Sequence, residues 1–180
     1  WLDSVPDKDF EESDYFRHYM GLLNSERLNQ ILEKYDLEVN FYLHAKFQEY
    51  ADTFKSISKR IHLISFGEVA VNEMLMRCRM LITDYSSVCW DILYQDKPSL
   101  FYQFDIEKYN EAHGSYIDME TELFGDRAAT QEQLLDYLEE TVQNDFRLKP
   151  EYEKMRGEYL QFKDHEHSRH ICEEIKKRFH

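Results

Sequence analysis

The stretch MLITDYSSVCWDIL, residues 80–93, runs apolar, stops on Thr83, Asp84, Tyr85, Ser86 and Ser87, and then turns apolar again. Every residue of that interruption carries a side-chain oxygen. A helix that starts here has unpaired N–H groups and a partial positive charge at its first turn. One of Asp84, Ser86 or Ser87 would satisfy such a group and stabilise the helix by about 1 kcal/mol. Capping needs only one such residue, and the surplus points to an anionic ligand. Serine hydroxyls donate to phosphate as helix amides do. Asp84 would repel a phosphate and is assigned to capping or to orienting a neighbour. Asp91 lies one turn beyond Ser87 and offers an acceptor to a hydroxyl. Phosphate binding and plain capping both account for the stretch on these features alone.

The elements that must position this stretch follow from its neighbours. LEVNFYLH alternates Leu37, Val39, Phe41 and Leu43 with polar or aromatic residues, as a strand does, and ends on His44. RIHLIS is a second short strand, MLIT a third, and SLFYQF after Pro98 a fourth. Between them, residues 46–55 read as helical, Val71, Met74, Leu75 and Cys78 recur at helical spacing, and 86–95 forms the next helix. Ser25 caps a helix carrying Leu28, Ile31, Leu32 and Tyr35. Residues 105–112 read as a short helix, and GSYIDM as a short strand or an extended loop. Further helices are predicted at 131–143, 150–162 and 165–178.

Short strands alternating with helices predict an α/β fold with a parallel sheet. Ligands of such sheets bind at the carboxyl ends of the strands. Four exits therefore matter: His44, the 65–68 turn with Ser65 and Glu68, the 83–87 stretch, and Gln103 to Asp105. A lone strand-end histidine is commonly a plain core or surface residue. On the serines' sheet edge, His44 can donate to a diphosphate and, protonated, offset charge on a leaving group.

The chain has 180 residues, 42% apolar, enough for a single domain with a real core. We divide it into an irregular arm (1–23) with one helical turn, a βα core (24–145) and closing helices (146–180). The first residue is not Met and no apolar signal core follows, as expected of a fragment of a longer protein. No apolar run approaches the ~20 residues of a membrane span. Cys78, Cys89 and Cys172 read as reduced, buried thiols of a cytoplasmic protein. The net charge of −14 disfavours nucleic acid and anionic membrane surfaces.

FYLH, LITDYSSVCWDILYQDKPSLFYQFDIEKY and GSYID, in this order and spacing, resemble the CDP-glycerol glycerophosphotransferase family of teichoic-acid and capsule polymerases. The likeness covers roughly residues 37–178, including the closing YLQFKDHEHSRHI. It rests on ITDYSS, Lys97-Pro98, Phe104-Asp105, Tyr109 and Gly114-Ser115-Tyr116-Ile117-Asp118 together, each weak by itself. The resemblance implies a GT-B fold, of which this chain is the C-terminal, donor-binding, Rossmann-like half. It implies transfer of a polyol phosphate from CDP-glycerol or CDP-ribitol to a hydroxyl of an anionic polyol-phosphate or glycan acceptor, without a cofactor or metal. Carried over, His44 is catalytic and contacts the diphosphate with Ser86 and Ser87, while Asp84 supports their loop. The exit at Ser65 and Glu68 takes the cytosine or ribose. The general base, the acceptor contacts and any attachment to the inner face of the membrane are expected in the missing half. Ala45 stands where family members often have Pro after the strand-end His, and ELFGDRAAT replaces a stretch that often holds Gly-Pro.

The alternatives are the C-terminal half of a nucleotide-sugar GT-B glycosyltransferase and a non-catalytic nucleotide-binding or interaction domain. The first commonly has a Gly-rich donor loop, and this chain has five Gly. A serine hydrolase is disfavoured, because no G-x-S-x-G surrounds Ser86 or Ser87. DHEHSRH could hold a metal, but Asp164 as a helix cap with solvated histidines is the simpler reading.

Overall fold

The structure, a computed structural model, describes residues 10–43 and 45–179. His44 therefore lies outside the described residues. A 3-10 turn (Phe10–Glu12) leads into α1 (Asp14–Leu23), which is followed by α2 (Glu26–Lys34). Ser13 and Ser25 start these helices by accepting from the backbone N–H of Phe16 and Leu28 at 3.1 and 3.2 Å. Then come β1 (Val39–Tyr42), a 3-10 helix (Ala45–Thr53), β2 (Ile61–Ile64), α3 (Val71–Arg77), β3 (Leu81–Thr83), α4 (Cys89–Tyr94) and β4 (Ser99–Tyr102). The chain closes with α5 (Ile106–Ala112), β5 (Asp126–Ala128), α6 (Gln131–Gln143), α7 (Pro150–Tyr159) and α8 (His167–Phe179).

All strand pairs are parallel. β1 pairs with β2, with Val39 opposite Ile61. A separate sheet has the order β3-β4-β5, with Leu81 opposite Ser99 and Leu100 opposite Asp126. The expected α/β architecture of parallel strands flanked by helices is present, in two ladders. β4 is buried on both faces, as a central parallel strand requires. Leu100 and Tyr102 join the main core with Leu28, Leu32, Ile61, Leu134 and Leu135. Phe101, one residue out of phase, points into a second cluster with Cys89, Leu93 and Phe124.

Several expectations need correction. The arm is not irregular over 14–23: α1 packs Tyr15, Tyr19, Leu22 and Leu23 into the main core. Its apolar residues recur at helical spacing, which the surrounding acids obscured. Of the two readings of GSYIDM, a short strand or an extended loop, the loop is the one present. The extra strand is β5, and Gly125 before it lies so close to β4 that an added Cβ would sit 2.1 Å from the Ser99 carbonyl oxygen. The 86–95 helix begins at Cys89, and the 46–55 helix is 3-10 in form. Cys89 is buried, Cys78 is half-buried, and Cys172 is exposed on α8. No helix of the described residues is long and apolar enough to cross a membrane.

Candidate functional site

The carboxyl ends of β3 and β4 lie side by side; one hydrogen bond within the β3 exit and two across to the β4 exit hold the loops together. The Asp84 carboxylate accepts from the backbone N–H of Tyr85 at 2.6 Å. The Tyr85 hydroxyl donates to Asp105 Oδ1 at 2.8 Å. Gln103, fully buried, donates its amide to the Asp84 carbonyl oxygen at 3.1 Å. Tyr85 also stacks on Tyr109 of α5, with ring centroids 3.7 Å apart and planes 5° apart. The loop that carries the serines is thus braced from both sides by groups bonded before any ligand arrives.

Both serines leave their donors unengaged among the described residues. α4 has Val88 as its N-cap and no side-chain cap, so neither serine nor Asp84 caps it. The Ser86 and Ser87 hydroxyls, and the backbone N–H groups of Ser86, Ser87 and Val88, have no hydrogen-bond partner among the described residues. The serine carbonyls are used instead, accepting from the N–H of Cys89 and Trp90 at 3.3 and 3.1 Å. Consecutive donors left unpaired at a strand exit form an anion-binding concavity. Asp91 is exposed on α4 and receives no hydrogen bond from either serine among the described residues.

Ser65 and Glu68 belong to a turn closed on itself at the β2 exit. The Ser65 N–H donates to Glu68 Oε2 and the Glu68 N–H to the Ser65 carbonyl, both at 3.1 Å. Gly67 supplies the positive φ of 86° that this turn needs. Both residues are exposed.

Residues not singled out from the sequence join the site through α1. Tyr15 and Tyr19 are buried beside the β3 and β4 exits. Burial pushes both phenols up, and the charges of Asp84 and Asp105 add to this. Burial also raises the Asp105 carboxyl, and the nearby Asp84 charge raises it further, against the lowering effect of the Tyr85 hydrogen bond. His18 of α1 stacks on Phe104, with centroids 4.0 Å apart and planes 4° apart. His18 and Phe104, with Gln103 and Asp105, line a cavity of about 360 Å³ next to the loop of Asp84 and Tyr85. Ser13 ahead of Tyr15, Tyr19 and Leu22 was the signal that could have revealed this helix.

Lys97 of the Lys-Pro pair is structural. Its ammonium group donates to the carbonyls of Leu75 and Met76, at 2.8 and 2.9 Å, and to Gln95 Oε1 at 2.9 Å, closing the end of α3. In the DHEHSRH stretch Asp164 accepts from the Glu166 N–H ahead of α8 and holds His170 at 2.7 Å. His170 is not simply solvated, since it also stacks on Phe162. No group of three or more metal-ligating side chains converges among the described residues.

The chain is similar to known proteins. The minor teichoic acid biosynthesis protein GgaB of Bacillus subtilis is 27% identical over 157 residues, which cover 86% of this chain and 17% of that protein. The teichoic acid glycerol-phosphate transferase of Staphylococcus aureus is 27% identical over 146 residues, covering 78% of this chain and 34% of that protein. In fold, the chain matches the wall teichoic acid polymerase TagF with a TM-score of 0.62 at 22% identity, over 87% of this chain and 38% of that one. The chain thus spans well under half the length of each. The sequence pattern of the CDP-Glycerol:Poly(glycerophosphate) glycerophosphotransferase family matches residues 7–177, and the chain belongs to that family.

Proposed function

We propose that this chain is the donor-nucleotide-binding half of a CDP-polyol phosphotransferase, a Rossmann-like unit equivalent to the C-terminal half of a GT-B enzyme. In the reaction, an acceptor hydroxyl oxygen attacks the β-phosphorus of CDP-glycerol or CDP-ribitol. The bond to the bridging oxygen breaks, CMP leaves, and a polyol phosphate is added to a teichoic-acid or capsule chain. The observation that carries this reading is the run of unpaired donors at Ser86, Ser87 and Val88. Five N–H and O–H groups without an acceptor among the described residues suit the oxygens of a diphosphate, whose charge they offset in the transition state. Asp84 and Tyr85, braced by Gln103 and Asp105, hold that loop in place. His44 is the proposed catalytic residue. Ser65 and Glu68 are the proposed contacts to cytosine or ribose, in a turn already shaped by their own hydrogen bonds. The acceptor, the general base and any membrane contact are assigned to the remainder of the full-length protein.

The test is a titration of the chain with CDP-glycerol, CMP and UDP-glucose, read by amide NMR shifts and calorimetry. CDP-glycerol should give saturable shifts at Ser86, Ser87 and Val88, and UDP-glucose should not. Ser86→Ala with Ser87→Ala should weaken CDP-glycerol binding by up to about 3 kcal/mol, because a hydrogen bond to a charged group contributes about 1.5–3 kcal/mol. Unchanged affinity in a folded double variant removes the serines from the site. Preference for UDP-glucose moves the protein to the nucleotide-sugar transferases.

A further inference from the structure

The half-buried cations of this chain come with acceptors. Arg27 holds Glu132 and Asp136, Arg60 holds Asp36, and Lys149 holds Asp126 and Glu140. Arg156 holds Asp96, and Lys97 donates to the carbonyls of Leu75 and Met76. Arg127, in the middle of β5, is the exception. It is half-buried, and no hydrogen bond or ion pair engages its guanidinium among the described residues. A charge partly withdrawn from water and left without an acceptor costs stability. The chain carries 36 acidic residues, so acceptors are in good supply, yet none is set against this arginine.

Register fixes where Arg127 stands. Thr83 of β3, Phe101 of β4 and Arg127 of β5 are paired in one row across the sheet, so their side chains leave the same face. Phe101 marks that face as the one covered by α4, through Cys89 and Leu93. The loop with Ser86 and Ser87 leads from Thr83 to α4 and therefore climbs over the same face. At ~4.8 Å per strand, Arg127 stands roughly 10 Å from Thr83 along the row, a gap that an extended arginine and a phosphate close together. The serine loop itself offers neutral donors, and the side chains that brace it, Asp84 and Asp105, are acidic. We propose that Arg127 is the cation that grips the phosphate held by the serine loop, with the planar fork of its guanidinium on the phosphate oxygens. The inference rests on the diphosphate reading above and adds the positive charge that the serine loop lacks. Arg127 belongs to ELFGDRAAT, the stretch in which this chain departs from the family's pattern.

The experiment titrates the chain and its variants with inorganic pyrophosphate and with CDP-glycerol. Arg127→Gln removes the charge, and Arg127→Lys keeps the charge without the fork. Arg127→Gln should bind both anions about tenfold or more weakly, the size of one hydrogen bond to a charged group. Arg127→Lys should fall between it and the parent chain. Combined with Ser86→Ala and Ser87→Ala, the losses should be less than additive, because all three side chains hold one anion. In the parent chain the Nε–H resonance of Arg127 should shift as pyrophosphate saturates, a readout that needs no variant to fold. The inference is overturned if Arg127→Gln binds both anions as the parent chain does, if the Nε–H resonance stays in place at saturation, or if the losses add in full. It is also overturned if neither anion binds the parent chain. Failure of the donor reading looks different: CDP-glycerol binds the parent chain no better than pyrophosphate, while pyrophosphate still binds in an Arg127-dependent way.

Discussion

Asp105 holds a carboxylate at neutral pH in a place that disfavours it. Burial and the Asp84 charge raise its pKa above the ordinary 3.8, and only the Tyr85 hydroxyl and smaller effects oppose this. A carboxyl whose folded pKa is raised favours folding below its ordinary pKa. That contribution is lost as pH rises through the folded value, so the ionised group costs stability at pH 7. Asp105→Asn keeps the acceptor for Tyr85 and should raise the melting temperature at pH 7, with the gain shrinking toward zero below about pH 4. Thermal melts across that range decide the matter. A lower melting temperature at pH 7 would mean that the charge-assisted bond from Tyr85 outweighs desolvation. A residue retained at such a cost is most simply there for a ligand, which agrees with its place beside the serine loop. Asp84, by contrast, was legible from its position in ITDYSS. The role of Asp105 needed the neighbouring strand to be placed beside it.

At the level of elements, two small features decide whether β4 sits where the site needs it. Lys97 closes the carboxyl end of α3, a short helix whose Leu75 carbonyl otherwise accepts only the weak donor of the Cys78 thiol, at 3.4 Å, among the described residues. Lys97→Met should keep the aliphatic packing and lose about 1–3 kcal/mol of stability by chemical denaturation, with three hydrogen bonds removed and partial rescue by water. A loss below about 0.5 kcal/mol would show that water replaces the ammonium fully. Gly125 is the other feature. With a Cβ 2.1 Å from Ser99 O and 2.9 Å from the Phe101 ring, Gly125→Ala must push β5 off β4. We expect a loss of about 3 kcal/mol or more, the upper range for overpacking, with hydrogen exchange accelerated at Phe101 to Gln103. Wild-type stability in this variant would contradict the close approach of the two strands. ELFGDRAAT offered no such role in the sequence, since glycine in a loop is unremarkable until a backbone is found against it.

For the molecule as a whole, charge is the dominant surface property. Ion pairs tie the elements together: Arg27 of α2 reaches Glu132 and Asp136 of α6, and Lys149 bridges Asp126 and Glu140. Asp96, beyond α4, accepts both Arg156 and Lys163, which fastens α7 and the segment before α8. The exposed pairs among these contribute little each, about 0–1 kcal/mol, whereas Lys149–Asp126 is largely shielded from solvent. A net charge of −14 repels itself across the whole surface. We therefore expect repulsion to outweigh the pairs, so that the melting temperature rises as sodium chloride goes from low salt to about 0.15 M, where the Debye length is about 8 Å. A fall over that range would show that the pairs win.

The amino-acid sequence determined the local order of this protein. Apolar periods of two and of three to four residues placed β1 to β4, α2, α3 and α6 to α8 close to where they stand, because those periods mirror the geometry of each element. The ITDYSS stretch marked the serine loop for a similar local reason: too many donors and acceptors for one helix start. α1 was missed because acids crowd the residues just before it and Arg17, His18 and Gly21 thin its apolar spacing, and β5 because three residues are too few to show a period. Only tertiary structure decided that the serines leave their donors unpaired, that Gln103 and Asp105 brace their loop, and that His18 closes a cavity beside it. These are contacts between residues up to 85 or more positions apart, as from His18 to Gln103 and Phe104. Such contacts depend on how the layers pack, which no local period records.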